Sequence, residues 1–155
     1  MEKELAPERS TFLADEFELG FIAYCGIRAK DIRPGFFESE VQLEAHHRQQ
    51  DGFVHAGMMA TIADHTAGYA AYTIVDTSLR ILSVEFKINM LKPAYGRALR
   101  CRGRVLRGGN RIIVVESEVY DVRDGGEALV AKAMVTLMAV LAEKMESRRF
   151  TETDS

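Results

Sequence analysis

The alternation of apolar and polar positions is clearest over residues 35–44, where Phe37 and Val41 fall on one face and glutamates and a glutamine fall on the other. A period of two with one charged face is typical of a half-buried antiparallel strand. A preceding strand over about residues 24–32 is predicted to pair with it through the turn at residues 33–35, which contains Pro-Gly.

A long helix is predicted over residues 56–73, which are rich in alanine and contain no proline. Small or short side chains follow one side of this helix, at Gly57, Thr61, Asp64 and Gly68. Four strand-like runs come next, over residues 79–90, 96–106, 111–122 and 127–141. Glycine-rich turns separate the last three runs. The last run is apolar at nearly every position, which predicts that both of its faces are covered.

The order of these elements is two strands, one long helix and four antiparallel strands, which predicts an α+β architecture whose sheet curls round the helix. A chain of 155 residues fits a single domain over residues 1–155. We expect a polar N-terminal segment over residues 1–20, with a short helix near residues 10–17. We also expect a charged C-terminal tail over residues 143–155.

The composition is that of an ordinary globular protein, with 47% hydrophobic and 28% charged residues. A net charge of −3 argues against nucleic acid and anionic membranes as partners. Two isolated cysteines, Cys25 and Cys101, favour the reducing cytoplasm over a disulfide scaffold. The first residues lack the apolar core of a signal peptide, and the apolar stretch at 128–142 is shorter than the roughly 20 residues of a membrane helix. We therefore expect a cytoplasmic protein.

The start of the long helix is the first candidate for chemistry. A polar loop containing Gly52 leads directly to Ala56 and Gly57, and the first amides of a helix are unpaired and carry partial positive charge. Such amides can stabilise a developing oxyanion. Asp64 is the second candidate, because a carboxylate among alanines in a helix needs a partner or a role. It can act as a general base or as a nucleophile.

The spacing of these two candidates predicts a shared site. Eight residues separate Ala56 from Asp64, which corresponds to about 12 Å along a helix. One carbonyl group cannot contact both groups of the same chain. If both act on one substrate, they come from two subunits related by a two-fold axis.

These segments resemble the phenylacetate-pathway type of hotdog thioesterase, a family related to the 4-hydroxybenzoyl-CoA thioesterases. The resemblance covers about residues 20–142. It is carried by Gln49, Gly52, His55-Ala56-Gly57, Ala63-Asp64, Gly68, Ala70, Leu82-Ser83-Val84-Glu85-Phe86 and Leu91-Lys92-Pro93-Ala94.

The resemblance implies a hotdog fold and a homo-oligomer, either a dimer or a dimer of dimers. It implies acyl-CoA bound across the dimer interface, with no metal and no cofactor. Asp64 matches the catalytic acid, and Ala56 matches a glycine whose N–H polarises the thioester carbonyl. Gln49 matches an asparagine that places substrate or water, and Ser83 matches a hydroxyl that holds the attacking water. The alanine and the glutamine are departures: the methyl group narrows the pocket, and glutamine is longer than asparagine.

The remaining site predictions concern substrate binding. We expect His55, Gly57 and Gly52 to contact substrate at the helix start, although a histidine at such a junction more often only fixes the loop. Arg100 and Arg102 lie on one strand face; they form either a solvated outer face or a basic rim for the CoA phosphates.

The other histidines give no sign of a metal site, because their spacing matches no zinc motif. His46 and His47 are expected to be exposed loop residues. His65 follows Asp64 and is expected on a different side of the helix.

The predicted function is hydrolysis of a small aromatic or a short- to medium-chain acyl-CoA. Two alternatives stay open on the sequence. One is a hotdog hydratase or dehydratase that uses His55 with Asp64, since the fold permits both reactions. The other is a protein that binds acyl-CoA without turning it over.

Overall fold

The computed structural model describes residues 4–146, and its strands form one antiparallel sheet. Residues 147–155 of the expected charged tail and residues 1–3 of the expected polar segment lie outside the described residues. The helices are α1 Pro7–Phe17, α2 Gly20–Cys25, α3 Ala56–Tyr72 and α4 Ala142–Glu146. The strands are β1 Ile27–Arg33, β2 Phe36–Gln42, β3 Leu79–Met90, β4 Ala98–Gly108, β5 Ile112–Arg123 and β6 Gly126–Leu141.

The sheet has the order β1-β2-β4-β5-β6-β3, so β1 and β3 are its edges. Helix α3 contacts all six strands. Six strands reach one helix only if the sheet curls round it, and this confirms the predicted α+β hotdog architecture. Helix α3 and strand β3 have nearly the bounds that the sequence predicted.

Helix α3 lies unusually close to the sheet along one of its sides. A Cβ atom at Gly103 of β4 would lie 3.0 Å from the carbonyl oxygen of Thr66. The Ser117 hydroxyl donates to the carbonyl of Ala63 at 2.8 Å. The buried hydroxyls of Ser39 and Thr66 are 2.6 Å apart. These paired polar groups fix the rotation of α3 about its axis and leave the side that carries Asp64 facing away from the central strands.

The predicted strand over residues 24–32 is wrong at its start, where the chain forms helix α2 over residues 20–25. Gly26 ends this helix with φ +76°, a left-handed conformation that favours glycine, and β1 begins at the next residue. The short helix expected near residues 10–17 is confirmed and begins earlier, with Pro7 in its first turn.

The expectation that both faces of β6 are covered is also wrong for the described chain. Buried residues alternate with half-buried ones along the strand, and Met134 is 41% exposed. Helix α3 covers one face, and nothing within residues 4–146 forms a layer over the other.

A β-bulge in edge strand β3 decides which side chains face α3. The pairing with β6 shifts register between Ser83 and Glu85, so that Val84 is the extra residue. Ser83 lies opposite the buried Leu137, and Phe86 lies opposite the buried Val135. Both side chains therefore point towards α3. Without the bulge, strict alternation would place Glu85 on the α3 side and Phe86 on the opposite side.

Candidate functional site

The N-terminus of α3 has one unpaired amide, at Ala56. The Nδ1 atom of His55 accepts a hydrogen bond from the Gly57 N–H at 2.8 Å and so caps the helix. The His55 carbonyl accepts from the Met58 N–H at 2.9 Å. The Ala56 N–H has no acceptor within the described chain and lies at the surface. It is thus the first-turn donor that is free to bind an incoming oxygen.

Gly57 is needed to make this cap. A Cβ atom there would lie 2.9 Å from His55 Nδ1, which is too close for the capping geometry. His55 and Gly57, both predicted to bind substrate, are thus engaged with each other. They shape the helix start that presents the Ala56 N–H.

The prediction that His47 is an exposed loop residue is wrong, whereas His46 is exposed. The His47 ring is buried, and its Nδ1 accepts from the Glu44 N–H at 2.9 Å. Its Nε2 therefore carries the proton and donates to the carbonyl of Cys25 at 2.7 Å. His47 thereby ties the end of α2 to the loop before α3. His46 and His47 are adjacent in a polar loop, and nothing in the sequence indicated that only one of them is buried.

The loop over residues 48–54 is held mainly by its own groups. Arg48 donates to the carbonyls of Gly52 at 3.1 Å and Gly96 at 3.0 Å. The Gln49 side-chain oxygen accepts from the Asp51 N–H. Gly52 has φ +90°, which suits glycine at this turn. Gln49 and Gly52 therefore stabilise the loop, and neither contacts Asp64 in the protomer.

Asp64 forms a hydrogen bond with Ser83, and both residues were predicted from the sequence to belong to the site. The Ser83 hydroxyl donates to Asp64 Oδ1 at 2.6 Å. Asp64 is half-buried and Ser83 is exposed, so the second carboxylate oxygen is open to a substrate or a water. The bond joins the open side of α3 to edge strand β3 and fixes the orientation of the carboxylate.

A cleft of about 440 Å³ opens beside Asp64. Its apolar wall is formed by Leu19, Phe21, Ile22, Ala60 and Phe86. Its polar side is formed by Thr61, Asp64 and His65. The sequence did not predict this cleft, because helix α2, which supplies part of its wall, was not predicted.

A second cleft, of about 210 Å³, lies next to the first. Phe21 and Thr61 line both clefts. The second cleft also touches His55 and Gly57, so the two together follow the groove between α2 and α3 from Asp64 to the helix start.

His65 packs into an aromatic cluster and does not act as a free base. Its Nε2 lies 3.0 Å from the carbonyl oxygen of Phe17, and its ring centroid is 4.4 Å from that of Phe17 and 4.9 Å from that of Tyr69. Burial lowers the pKa of His65, and this outweighs the opposing effects of the Phe17 carbonyl and the Asp64 charge. His65 is neutral at pH 7.

The lowered pKa of His65 predicts acid destabilisation. The unfolded chain binds the proton near pH 6.5, whereas the folded chain binds it only at lower pH. This contribution to stability is therefore complete above about pH 6.5 and falls as the pH drops below it. We expect the melting temperature to fall between pH 7.5 and 5.5, and to fall less in His65→Gln. His46→Gln, at an exposed position, should keep the wild-type dependence; equal slopes in all three proteins would contradict this assignment.

Arg100 and Arg102 are not brought to the helix start. They lie on the sheet face opposite α3, where Glu38, Glu40 and Glu127 pair with them. Arg102 also stacks over the Tyr120 ring at 4.7 Å. This geometry fits the first of the two predicted alternatives, in which the arginines form the outer face of the sheet. Their guanidinium groups are already neutralised by carboxylates. The structure of one protomer gives no support to a role for them in binding CoA phosphates.

Within residues 4–146, no three or more His, Cys, Asp or Glu side chains are grouped as a metal site would require. No helix in this part of the chain combines the length and hydropathy of a membrane span.

Comparison with known proteins defines the class. The sequence profile described as "Thioesterase superfamily" matches residues 51–128, which is half of the chain. A protein of Saccharolobus solfataricus named "Putative esterase SSO2140" is 32% identical over 98 residues, covering 63% of this chain and 69% of the relative. The crystal structure of a thioesterase family protein from Silicibacter pomeroyi is 33% identical, with a TM-score of 0.83 over 86% of this chain and 99% of that one.

A more distant structure shares the fold. It is a phenylacetic acid degradation-related protein from Ralstonia eutropha JMP134, 24% identical, with a TM-score of 0.72 over 84% of this chain and 98% of that one. The chain belongs to the thioesterase superfamily and is a hydrolase that acts on thioester bonds. The resemblance seen in the sequence is thereby confirmed.

Proposed function

We propose that the protein is an acyl-CoA thioesterase whose active site combines Asp64 of one protomer with the Ala56 N–H of its partner in a homodimer. The observation that carries this proposal is the presence of an oriented carboxylate, Asp64, and an unpaired amide, that of Ala56, about two helical turns apart on the same helix. About 12 Å of helix separates them, so one carbonyl reaches both groups only if a second copy supplies one of them.

Edge strand β3 supports a homodimer. Within residues 4–146 no strand pairs with its outer edge, because β6 is its neighbour on one side only. Leu82, Val84, Phe86 and Met90 are each at least 38% exposed along this strand. An exposed apolar edge pairs readily with another strand. Ser83 lies on the same strand, so pairing there would bring the Asp64–Ser83 pair close to the interface.

The proposed reaction uses these groups at the thioester carbonyl. The Ala56 N–H donates a hydrogen bond to the carbonyl oxygen and stabilises the negative charge that develops on it. Asp64 either removes a proton from a water held by Ser83 or attacks the carbonyl carbon directly. In both routes the carbon–sulfur bond breaks, CoA leaves as the thiolate and takes up a proton, and water supplies the oxygen of the free acid.

The proposed substrate is a small aromatic or a short- to medium-chain acyl-CoA. The apolar cleft beside Asp64 accommodates an acyl group of that size. We place the enzyme in the cytoplasm, because Cys25 and Cys101 are free and buried.

A hydratase or dehydratase is the second candidate, and the geometry of His55 disfavours it. The His55 Nδ1 atom is occupied as the helix cap, and the ring is not paired with Asp64. The deciding experiment supplies acyl-CoA thioesters and crotonyl-CoA to the same preparation. Release of CoA thiol from the acyl-CoA thioesters, with no hydrated product formed from crotonyl-CoA, supports the thioesterase. Hydration of crotonyl-CoA without thiol release would overturn it, and tight binding with neither reaction would indicate an acyl-CoA-binding protein.

Ser83→Ala tests whether the hydroxyl assists Asp64. Loss of the 2.6 Å hydrogen bond frees the carboxylate to rotate and removes a ligand for the water. We expect kcat to fall about 10- to 100-fold with little change in KM, since a misplacement of about 1 Å has an effect of that order. Ser83→Thr, which keeps a hydroxyl, should recover part of the rate, and Ser78→Ala should match wild type. Wild-type kcat in Ser83→Ala would remove Ser83 from the site.

A further inference from the structure

We infer that the groove between α2 and α3 holds the acyl group of the substrate and selects uncharged, apolar acyl chains of about six to ten carbons, because its lining includes Asp64 and follows α3 for roughly 12 Å. The inference rests on the proposed function, since it places the reacting carbonyl at Asp64. The inference adds that the acyl chain determines the specificity of the enzyme, and it names the residues that recognise that chain.

The position of the groove is the first support. The larger cleft includes Asp64 in its lining, so a thioester carbonyl at the carboxylate has its acyl substituent directly at the cleft mouth. Ala60 lies one helical turn before Asp64 on the same side of α3 and contributes only a methyl group to the wall. A small side chain there leaves room that a longer one would fill.

The length of the groove sets the chain length. The lining residues of the two clefts run from Gly57 to His65 on α3, about 12 Å at 1.5 Å per residue. Carbon–carbon bonds of about 1.5 Å advance an extended chain by roughly 1.3 Å per carbon, so this distance corresponds to about nine carbons. The larger cleft alone, from Ala60 to His65, holds about six.

The chemistry of the lining excludes charged acyl groups. Phe21, Leu19 and Phe86 offer apolar surface, with Phe21 64% exposed along both clefts. Among residues 4–146, no lysine or arginine lines either cleft, and Asp64 adds a negative charge at the mouth. A second carboxylate, as in succinyl-CoA, would find no cation there and would be repelled by Asp64.

The test is a profile of kcat/KM over acetyl-, butanoyl-, octanoyl-, hexadecanoyl- and succinyl-CoA, measured by thiol release. Each buried methylene adds up to about fourfold, so the wild-type value should rise at least about tenfold from acetyl to octanoyl and should not rise further at hexadecanoyl. Succinyl-CoA should fall at least about tenfold below butanoyl-CoA. A flat profile, or a preference for succinyl-CoA, would overturn the inference.

Two variants locate the subsite. Ala60→Phe should lower the ratio of the octanoyl to the acetyl value at least about tenfold, because the ring fills the cleft. Phe21→Ala, at an exposed position that folding does not require, should lower the octanoyl value about three- to tenfold through lost contact. Phe12→Ala, an equally large change at an exposed residue of α1 outside both clefts, should keep the wild-type profile.

The outcomes separate this inference from the proposed function. If Asp64-dependent hydrolysis is present but both variants keep the wild-type chain-length profile, the subsite is wrong and the thioesterase stands. If no acyl-CoA in the panel is hydrolysed, the proposed function fails, and the subsite fails with it.

Discussion

Asp64→Asn is expected to lower kcat for acyl-CoA hydrolysis by about 10²- to 10⁴-fold, the range that a general base or nucleophile contributes. Asparagine has nearly the same shape and still accepts the hydrogen bond from Ser83, which is 2.6 Å long in the native protein. It cannot take a proton from water or attack the carbonyl carbon. KM should change little, because the variant removes a group that acts in the transition state. The measurement is CoA thiol release under steady-state conditions.

The matched control is Asp124→Asn, which makes the same change in the turn between β5 and β6. It should keep wild-type kcat. A loss of less than about threefold in Asp64→Asn, with the fold intact by circular dichroism, would remove Asp64 from the chemistry.

Ala56→Pro is expected to lower kcat by about 10²- to 10³-fold, the effect of removing one oxyanion donor. Proline lacks the N–H, and the first helical position tolerates it because that amide has no partner in the helix. The preceding residue, His55, already has ψ 136°, which is the conformation that a following proline requires. The native Ala56 N–H has no acceptor in the described chain, so no structural hydrogen bond is lost.

Ala56→Gly is the control for this variant, because it changes the side chain and keeps the N–H. Its kcat should stay within about threefold of wild type, and both variants should melt within a few degrees of the native protein. If Ala56→Pro is as active as Ala56→Gly, the amide is not the oxyanion donor.

Local sequence patterns were sufficient to predict most of the fold. The alanine-rich run after His55 predicted α3 to within one residue at its end, and the alternating segment at residues 35–44 predicted β2. Asp64 was found because a carboxylate among alanines is physically conspicuous, and its partner Ser83 came from the family resemblance. These features are encoded within single elements or short motifs, which is why the sequence alone reveals them.

Features that depend on contacts between distant segments were missed. Helix α2 has apolar residues at several consecutive positions, and its six-residue length shows no clear helical period; a glycine at position 26 decides where it ends. The burial of His47 depends on the carbonyl of Cys25, 22 residues earlier in the chain. The bulge at Val84 is visible only from the pairing with β6. The acyl cleft is formed by these long-range arrangements and was therefore not predicted.

The most direct test of the two-subunit active site is complementation between Asp64→Asn and Ala56→Pro, each inactive alone, coexpressed with different tags and purified as a mixture. Half of the dimers are then hybrids, and each hybrid has one site with both groups intact. We predict recovery of about a quarter of wild-type kcat per protomer. If both groups act within one protomer, every site in the mixture lacks one of them. A mixture that contains hybrid dimers but stays as inactive as the separate variants would contradict the shared site.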